Sequence, residues 1–204
     1  GNELRLERLL HDFTYIRISI DHIEMTAPSD FIERLQSKGS LFGYTLQYSF
    51  PCPDGVSASL RHKVRLRASS FTSNAIYFRH KRVNLVKLNS DVIPLWSRSH
   101  LALDLEAQLN LQGKYSSRPL GRCLVPLEDL LIPPFCISRD FDFVGHHFEG
   151  AALIKIDLGS QQRALMERLE RWRGEGEERS RNSEETFTIP PGRHTRSRSG
   201  SRCR

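Results

Sequence analysis

Apolar and polar positions change period several times along the chain, and each change marks an element. Leu4, Leu6, Leu9 and Leu10 predict a short helical lead-in over residues 1–12. From Thr14 the period becomes two: Ile16, Ile18 and Ile20 alternate with Arg17, Ser19 and Asp21, the pattern of a half-buried strand. Ser29–Gly39 offers a serine cap, apolar Phe31, Ile32 and Leu35, and a closing glycine, which predicts a short helix inserted in a loop. Tyr44, Leu46, Tyr48 and Phe50 alternate again, until Pro51-Cys-Pro-Asp-Gly55 breaks the strand with turn residues.

The sharpest alternation follows. Leu60, His62, Val64 and Leu66 face one way, and Arg61, Lys63, Arg65 and Arg67 the other. Further strands are predicted over residues 75–79, 83–88, 100–107, 121–127 and 151–158. Eight strands with turn residues between them and little helix predict an all-β, antiparallel sandwich. After Gly159 the period lengthens, and Leu165, Met166, Leu169 and Trp172 form the stripe of an amphipathic helix within residues 159–173. Residues 174–204 are rich in Arg, Ser and Glu and poor in apolar side chains, so they are expected to be a disordered tail.

Composition adds three constraints. The 204 residues carry a formal net charge of +6 with a pI near 9.4, which favours acidic partners: lipid head groups, nucleic acid or acidic protein segments. Four cysteines (Cys52, Cys123, Cys136, Cys203) show no CxxC spacing and no signal-peptide pattern precedes them, so reduced, intracellular thiols are expected. No apolar run approaches the ~20 residues of a membrane-spanning helix. The chain begins Gly-Asn and ends in an Arg/Ser run, and it is read as a piece of a larger protein.

Three segments then carry a resemblance. Leu101-Ala-Leu-Asp-Leu105, Leu120-Gly-Arg-Cys-Leu-Val-Pro-Leu127 followed by Glu128-Asp-Leu-Leu131, and Gly150-Ala-Ala-Leu-Ile-Lys-Ile-Asp-Leu158 occur in the order of the closing strands of a C2 domain. Residues 13–158 thus resemble a divergent C2 domain, which implies an eight-stranded C2-like β-sandwich with a short inserted helix and a C-terminal helix. Calcium-dependent members place several aspartates in the loop joining the first two of these segments. Here that loop, residues 108–118, has no carboxylate, while calcium takes roughly 6–8 oxygen ligands. The calcium-independent branch is therefore implied, with no metal and no cofactor. The 26–42 insertion makes the chain similar in style to the C2 domains of large centriolar and ciliary scaffold proteins.

Candidate sites follow from residue type and position. In C2 domains that bind phosphoinositides a cationic face does the work, which here implies Lys63, Arg65, Arg67, Arg79, Lys81 and Arg82. The plainer reading is a solvated outer face whose arginines pair with local acids. Leu165, Met166, Leu169 and Trp172 are the candidate contacts of a partner helix, docked on the sandwich or on another chain. Cys123, Cys136, His146 and His147 are the residue types of a zinc site, but their spacing promises no convergence, and Cys123 alternates with apolar Val125 and Leu127. Arg196-Ser-Arg-Ser-Gly-Ser-Arg202 is a short arginine/serine tract, more in keeping with a linker than with RNA binding. No GxSxG, Walker A or HExxH pattern occurs.

The expectation is a non-enzymatic, calcium-independent interaction module of a larger cytoplasmic scaffold at the centriole, centrosome or ciliary base, with protein partners. The alternative is a membrane-targeting domain that holds anionic lipid on its basic face.

Overall fold

The computed structural model of the chain describes residues 2–26, 30–56 and 58–186. Two compact units divide it after Gln161, and each is described by itself. The first opens with helix α1 (Asn2–Asp12), as the leucine spacing predicts, and leads into strand β1 (Tyr15–Met25). Ile16, Ile18 and Ile20 on β1 are all 1% exposed or less, so the period-two pattern does mark a core face.

The elements that follow are α2 (Asp30–Ser37), β2 (Leu41–Tyr48), α3 (Ala58–Arg61), β3 (Val64–Arg67), β4 (Ser70–Phe71), β5 (Ala75–Leu85) and α4 (Val92–Trp96). Then come β6 (His100–Leu111), β7 (Lys114–Pro126), a 3-10 turn (Glu128–Leu131), β8 (Cys136–Gly145) and β9 (Phe148–Gly159). All pairings are antiparallel, in the order β3-β2-β6-β7-β8-β9-β1-β5-β4. This is a curled, all-β, C2-like sandwich of nine strands rather than eight. One half comprises β3-β2-β6-β7 and the other β8-β9-β1-β5-β4. At the seam β7 and β8 share a single register pair, Arg122 opposite Val144.

Core residues come from alternate positions of each long strand: Tyr44, Leu46 and Tyr48 on β2, Leu101, Leu103 and Leu105 on β6, Ile154, Ile156 and Leu158 on β9. Trp96, fully buried on α4, donates its indole N–H to the Pro51 carbonyl at 2.8 Å, tying α4 to the break after β2.

Several expectations need correction. The strand over residues 60–67 begins only at Val64. Leu60 is buried from the α3 turn instead, so its apolar position belongs to a helical turn and not to the ladder. Segment 75–79 and the first half of 83–88 are one strand, β5, which ends at Leu85 and is kinked rather than interrupted: Arg79 adopts φ +49° and the register slips opposite Ile20/His22, a bulge that keeps β5 on β1. Most of the 108–118 loop is ladder, from Gln108 opposite Ser117 to Leu111 opposite Lys114. Gln112 (φ 53°) and Gly113 (φ 85°) close it as a two-residue turn with both residues left-handed. Strand β8 was missed because Arg139 interrupts the alternation of Ile137, Phe141 and Phe143.

The second unit is helix α5, Arg163–Thr186, which runs well past residue 173. Glu and Arg are strong helix formers and outnumber Gly174, Gly176 and the weaker Ser, Asn and Thr positions, so the polar tail begins as helix rather than as a disordered segment. The Arg196–Arg202 tract and the rest of the tail beyond Thr186 lie outside the described residues.

Candidate anion-binding surface

Strand β3 lies at one end of the sheet order and pairs only with β2, placing Arg65 opposite Gln47 and Arg67 opposite Thr45. Because Tyr44, Leu46 and Tyr48 take the core side of β2, Thr45 and Gln47 take the outer side, and Arg65 and Arg67 share it. On β6 the same face carries Asp104 opposite Gln47 and Glu106 opposite Thr45. Both carboxylates are already engaged. Arg122 donates to Asp104 at 2.7 Å, and the Gln47 amide donates to Glu106 at 2.7 Å. Arg65 and Arg67 are therefore exposed cations with no carboxylate partner among the described residues, and the same holds for Lys63, just before the strand. The reading in which these arginines pair with local acids does not describe them.

Two shallow depressions of about 210 and 250 Å³ adjoin these arginines and share Phe42, Arg67 and Gln108 as lining. Ser69 and Ser70 complete one, Thr45 and Arg65 the other. The Gln108 amide donates to Thr45 Oγ1 at 2.8 Å and accepts from Ser117 at 2.8 Å, so this floor is a hydrogen-bonded polar layer. Guanidinium groups, the Ser70 and Thr45 hydroxyls and a side-chain amide around these two concavities are donors suited to phosphate or carboxylate oxygens, while Ser69 Oγ already donates to the Tyr77 carbonyl at 3.1 Å. Residues 42, 45, 69, 70 and 108 were missed by sequence reasoning. Only register places Gln108 beside Arg67, and no local signal announces it.

The rest of the six-residue basic set lies on β5, toward the other end of the sheet order. Alternation divides it between faces. Arg82 and His80 stand opposite Ile18 and Ile20 of β1, on the core side of that edge, whereas Lys81 stands opposite Ser19 on the outer side. Arg82 donates to Asn84 at 3.1 Å, and His80 Nε2 lies 2.7 Å from the Tyr48 hydroxyl. Burial, helped by the neighbouring Arg82 charge, lowers the His80 pKa, and burial pushes the Tyr48 phenol well above its ordinary range. Arg79 sits with its guanidinium 5.5 Å from the centre of the Tyr77 ring. The structure thus brings Arg65 and Arg67 together at one depression and holds Arg79, Lys81 and Arg82 along a separate edge.

Cys123 is fully buried on β7, where burial and the nearby Asp142 charge push its thiol up to about 12, so it is an inert core side chain. Cys136 and the His146–His147 pair flank opposite ends of β8 and are roughly 30 Å apart along the strand. On α5 the Leu165, Met166, Leu169 and Trp172 positions share one side of the helix, and Trp172 is 44% exposed. No helix among the described residues is long and apolar enough to cross a membrane.

No protein-family model matches the sequence, and no curated protein matches it significantly. Among solved structures, a CC2D1B structure aligns with a TM-score of 0.51 at 12% identity, covering 76% of this chain and 60% of that one. The first C2 domain of plant Extended Synaptotagmin 1 aligns at 0.43 with 7% identity, covering 74% of this chain and 98% of that chain. A structure of Extended-Synaptotagmin 2 that spans its SMP domain and two C2 domains aligns at 0.43 with 18% identity, covering 76% and 28%. At such identities the likeness speaks to the fold, and the fold of this chain is a C2-like β-sandwich.

Proposed function

We propose that this chain is a non-catalytic, calcium-independent interaction module that docks on anionic membrane surfaces, with Arg65 and Arg67 as its anchors. One observation carries the reading: these two cations have no carboxylate partner among the described residues and border a depression lined by hydroxyl and amide groups. Phe42 lines the same depression and meets Tyr115 edge-on at 5.4 Å, so half-exposed apolar surface lies beside the cations. That combination suits a head-group layer, where cations meet phosphate and aromatic rings meet the acyl boundary. The centriolar or ciliary scaffold reading, with protein partners on the sheet faces, rests on resemblance in style and gains no residue-level support from the geometry of this surface.

The test is flotation with phosphatidylserine and phosphoinositide vesicles, in calcium and in chelator. A cation near an anionic leaflet contributes about 1 kcal/mol, so Arg65→Gln/Arg67→Gln should lower the partition coefficient roughly 30-fold. Binding should also weaken with salt, since exposed charges are screened beyond about 8 Å at physiological ionic strength. Equal flotation of the double variant, or flotation only with calcium, would overturn the reading.

A further inference from the structure

Strand β5 runs from Ala75 to Leu85, and β1 pairs with nearly all of it. On its other side β4 covers only Ile76 and Tyr77. Among the described residues no strand lies beside Arg79–Leu85, a free edge of roughly 24 Å. The ladder settles which groups face outward. Val86 N–H donates to the Thr14 carbonyl, so in this antiparallel register Asn84 and Arg82 also turn their backbone groups to β1. The N–H and C=O groups of Lys81, Val83 and Leu85 therefore point away from the sheet, while Val83 and Leu85 leave 56% and 66% of their surface exposed.

We infer that this edge is a docking site for an acidic, extended peptide, which adds to β5 as a further strand. A row of alternate backbone donors and acceptors is satisfied by another strand, and a lipid head group cannot match its spacing. The flanking charges select the occupant. Lys81 on the outer face, Arg82 on the inner face and Arg79 at the bulge have no carboxylate partner among the described residues. Inward-pointing charge and a bulge are devices that keep an exposed edge from pairing with another copy of itself. Two copies joined antiparallel along this edge would set these cations against each other. A strand carrying carboxylates gains from the same charges, and apolar side chains on it would lie against Val83 and Leu85. The site is separate from the Arg65–Arg67 depression and stands or falls independently of vesicle binding.

The probe is a fluorescein-labelled heptapeptide of alternating glutamate and valine, titrated with the full chain by fluorescence anisotropy. A second peptide carries N-methyl groups on alternate residues, with its charge unchanged. Val83→Pro removes an N–H that the β1 ladder does not use, a substitution that edge strands tolerate. The native chain should bind the first peptide, and both Val83→Pro and the N-methylated peptide should lose at least tenfold in affinity. The melting temperature and the vesicle flotation of Val83→Pro should stay as in the native chain. Equal affinity for the two peptides would reduce the effect to charge alone and overturn the inference. So would an absence of peptide binding, or a Lys81→Glu/Arg82→Glu variant that loses only vesicle binding, which would make the edge a membrane contact.

Discussion

Gly145 ends β8 where the two halves of the sandwich meet, and its missing side chain sets how closely they approach. A Cβ there would overlap the Leu120 carbonyl oxygen outright, and would lie 2.7 Å from the Leu120 carbonyl carbon and 3.0 Å from Gly121 Cα. Even the second of these is roughly 1 Å short of a comfortable contact. Every atom it meets is backbone, so no rotamer change relieves it, and β7 and β8 must part. They share one register pair, which leaves little ladder to hold the seam while they do. Overpacking in a well-packed interior costs about 1–3 kcal/mol, and a backbone clash belongs at the top of that range. For a domain of this size about 3 kcal/mol lowers the melting temperature by roughly 6–12 °C. The assay is thermal unfolding of Gly145→Ala followed by circular dichroism. Gly43→Ala, whose Cβ meets nothing within 4 Å, serves as the control and should melt near the native temperature. Gly159→Ala should fall between them, because the nearest atoms to its Cβ all belong to the Tyr15 ring, and a side chain can swing aside. If Gly145→Ala melts with the control, the seam is not closed by this approach and the reasoning is refuted.

Two further outcomes follow from buried polar contacts. His80 has a folded-state pKa below its ordinary value, from burial first and the Arg82 charge second. The unfolded chain therefore binds that proton more readily, and stability falls as pH drops from about 6.5 toward the lower folded value. His80→Gln should flatten this acid-side loss in melts between pH 7 and 5, and an unchanged slope would assign it to other groups. Trp96→Phe leaves the Pro51 carbonyl without its 2.8 Å donor. A loss of about 1–3 kcal/mol in urea unfolding is expected, and a loss below that range would mean water replaces the donor without penalty.

Strand identity was legible wherever one face is core and the other solvent, because the side-chain period of two writes burial directly into the chain. Ile16–Ile20, Tyr44–Tyr48 and Leu101–Leu105 are examples. The same rule failed where a position is buried by something other than its own ladder. Leu60 kept the alternation of a strand while sitting on a helical turn, and Arg139 masked β8. Continuity of β5 was illegible for a different reason. Arg79-His-Lys-Arg82 has the composition of a solvated turn, and only pairing with β1 makes a bulge cheaper than a break.

The candidate site divides in the same way. Its cations were readable: Lys63, Arg65 and Arg67 could be named from spacing, and so could the face that Arg65 and Arg67 share. Their freedom from carboxylate partners could not, since it depends on Arg122 reaching Asp104 across the β6–β7 hairpin and on Gln47 reaching Glu106 from a strand distant in sequence. Sequence alone determined an all-β sandwich, its core faces and its basic edge residues, because those follow from local alternation and charge. Tertiary structure alone decided which cations stand together, which edge of β5 lies open and where the two halves close. Those depend on which strands pair and in what register, which no local pattern encodes.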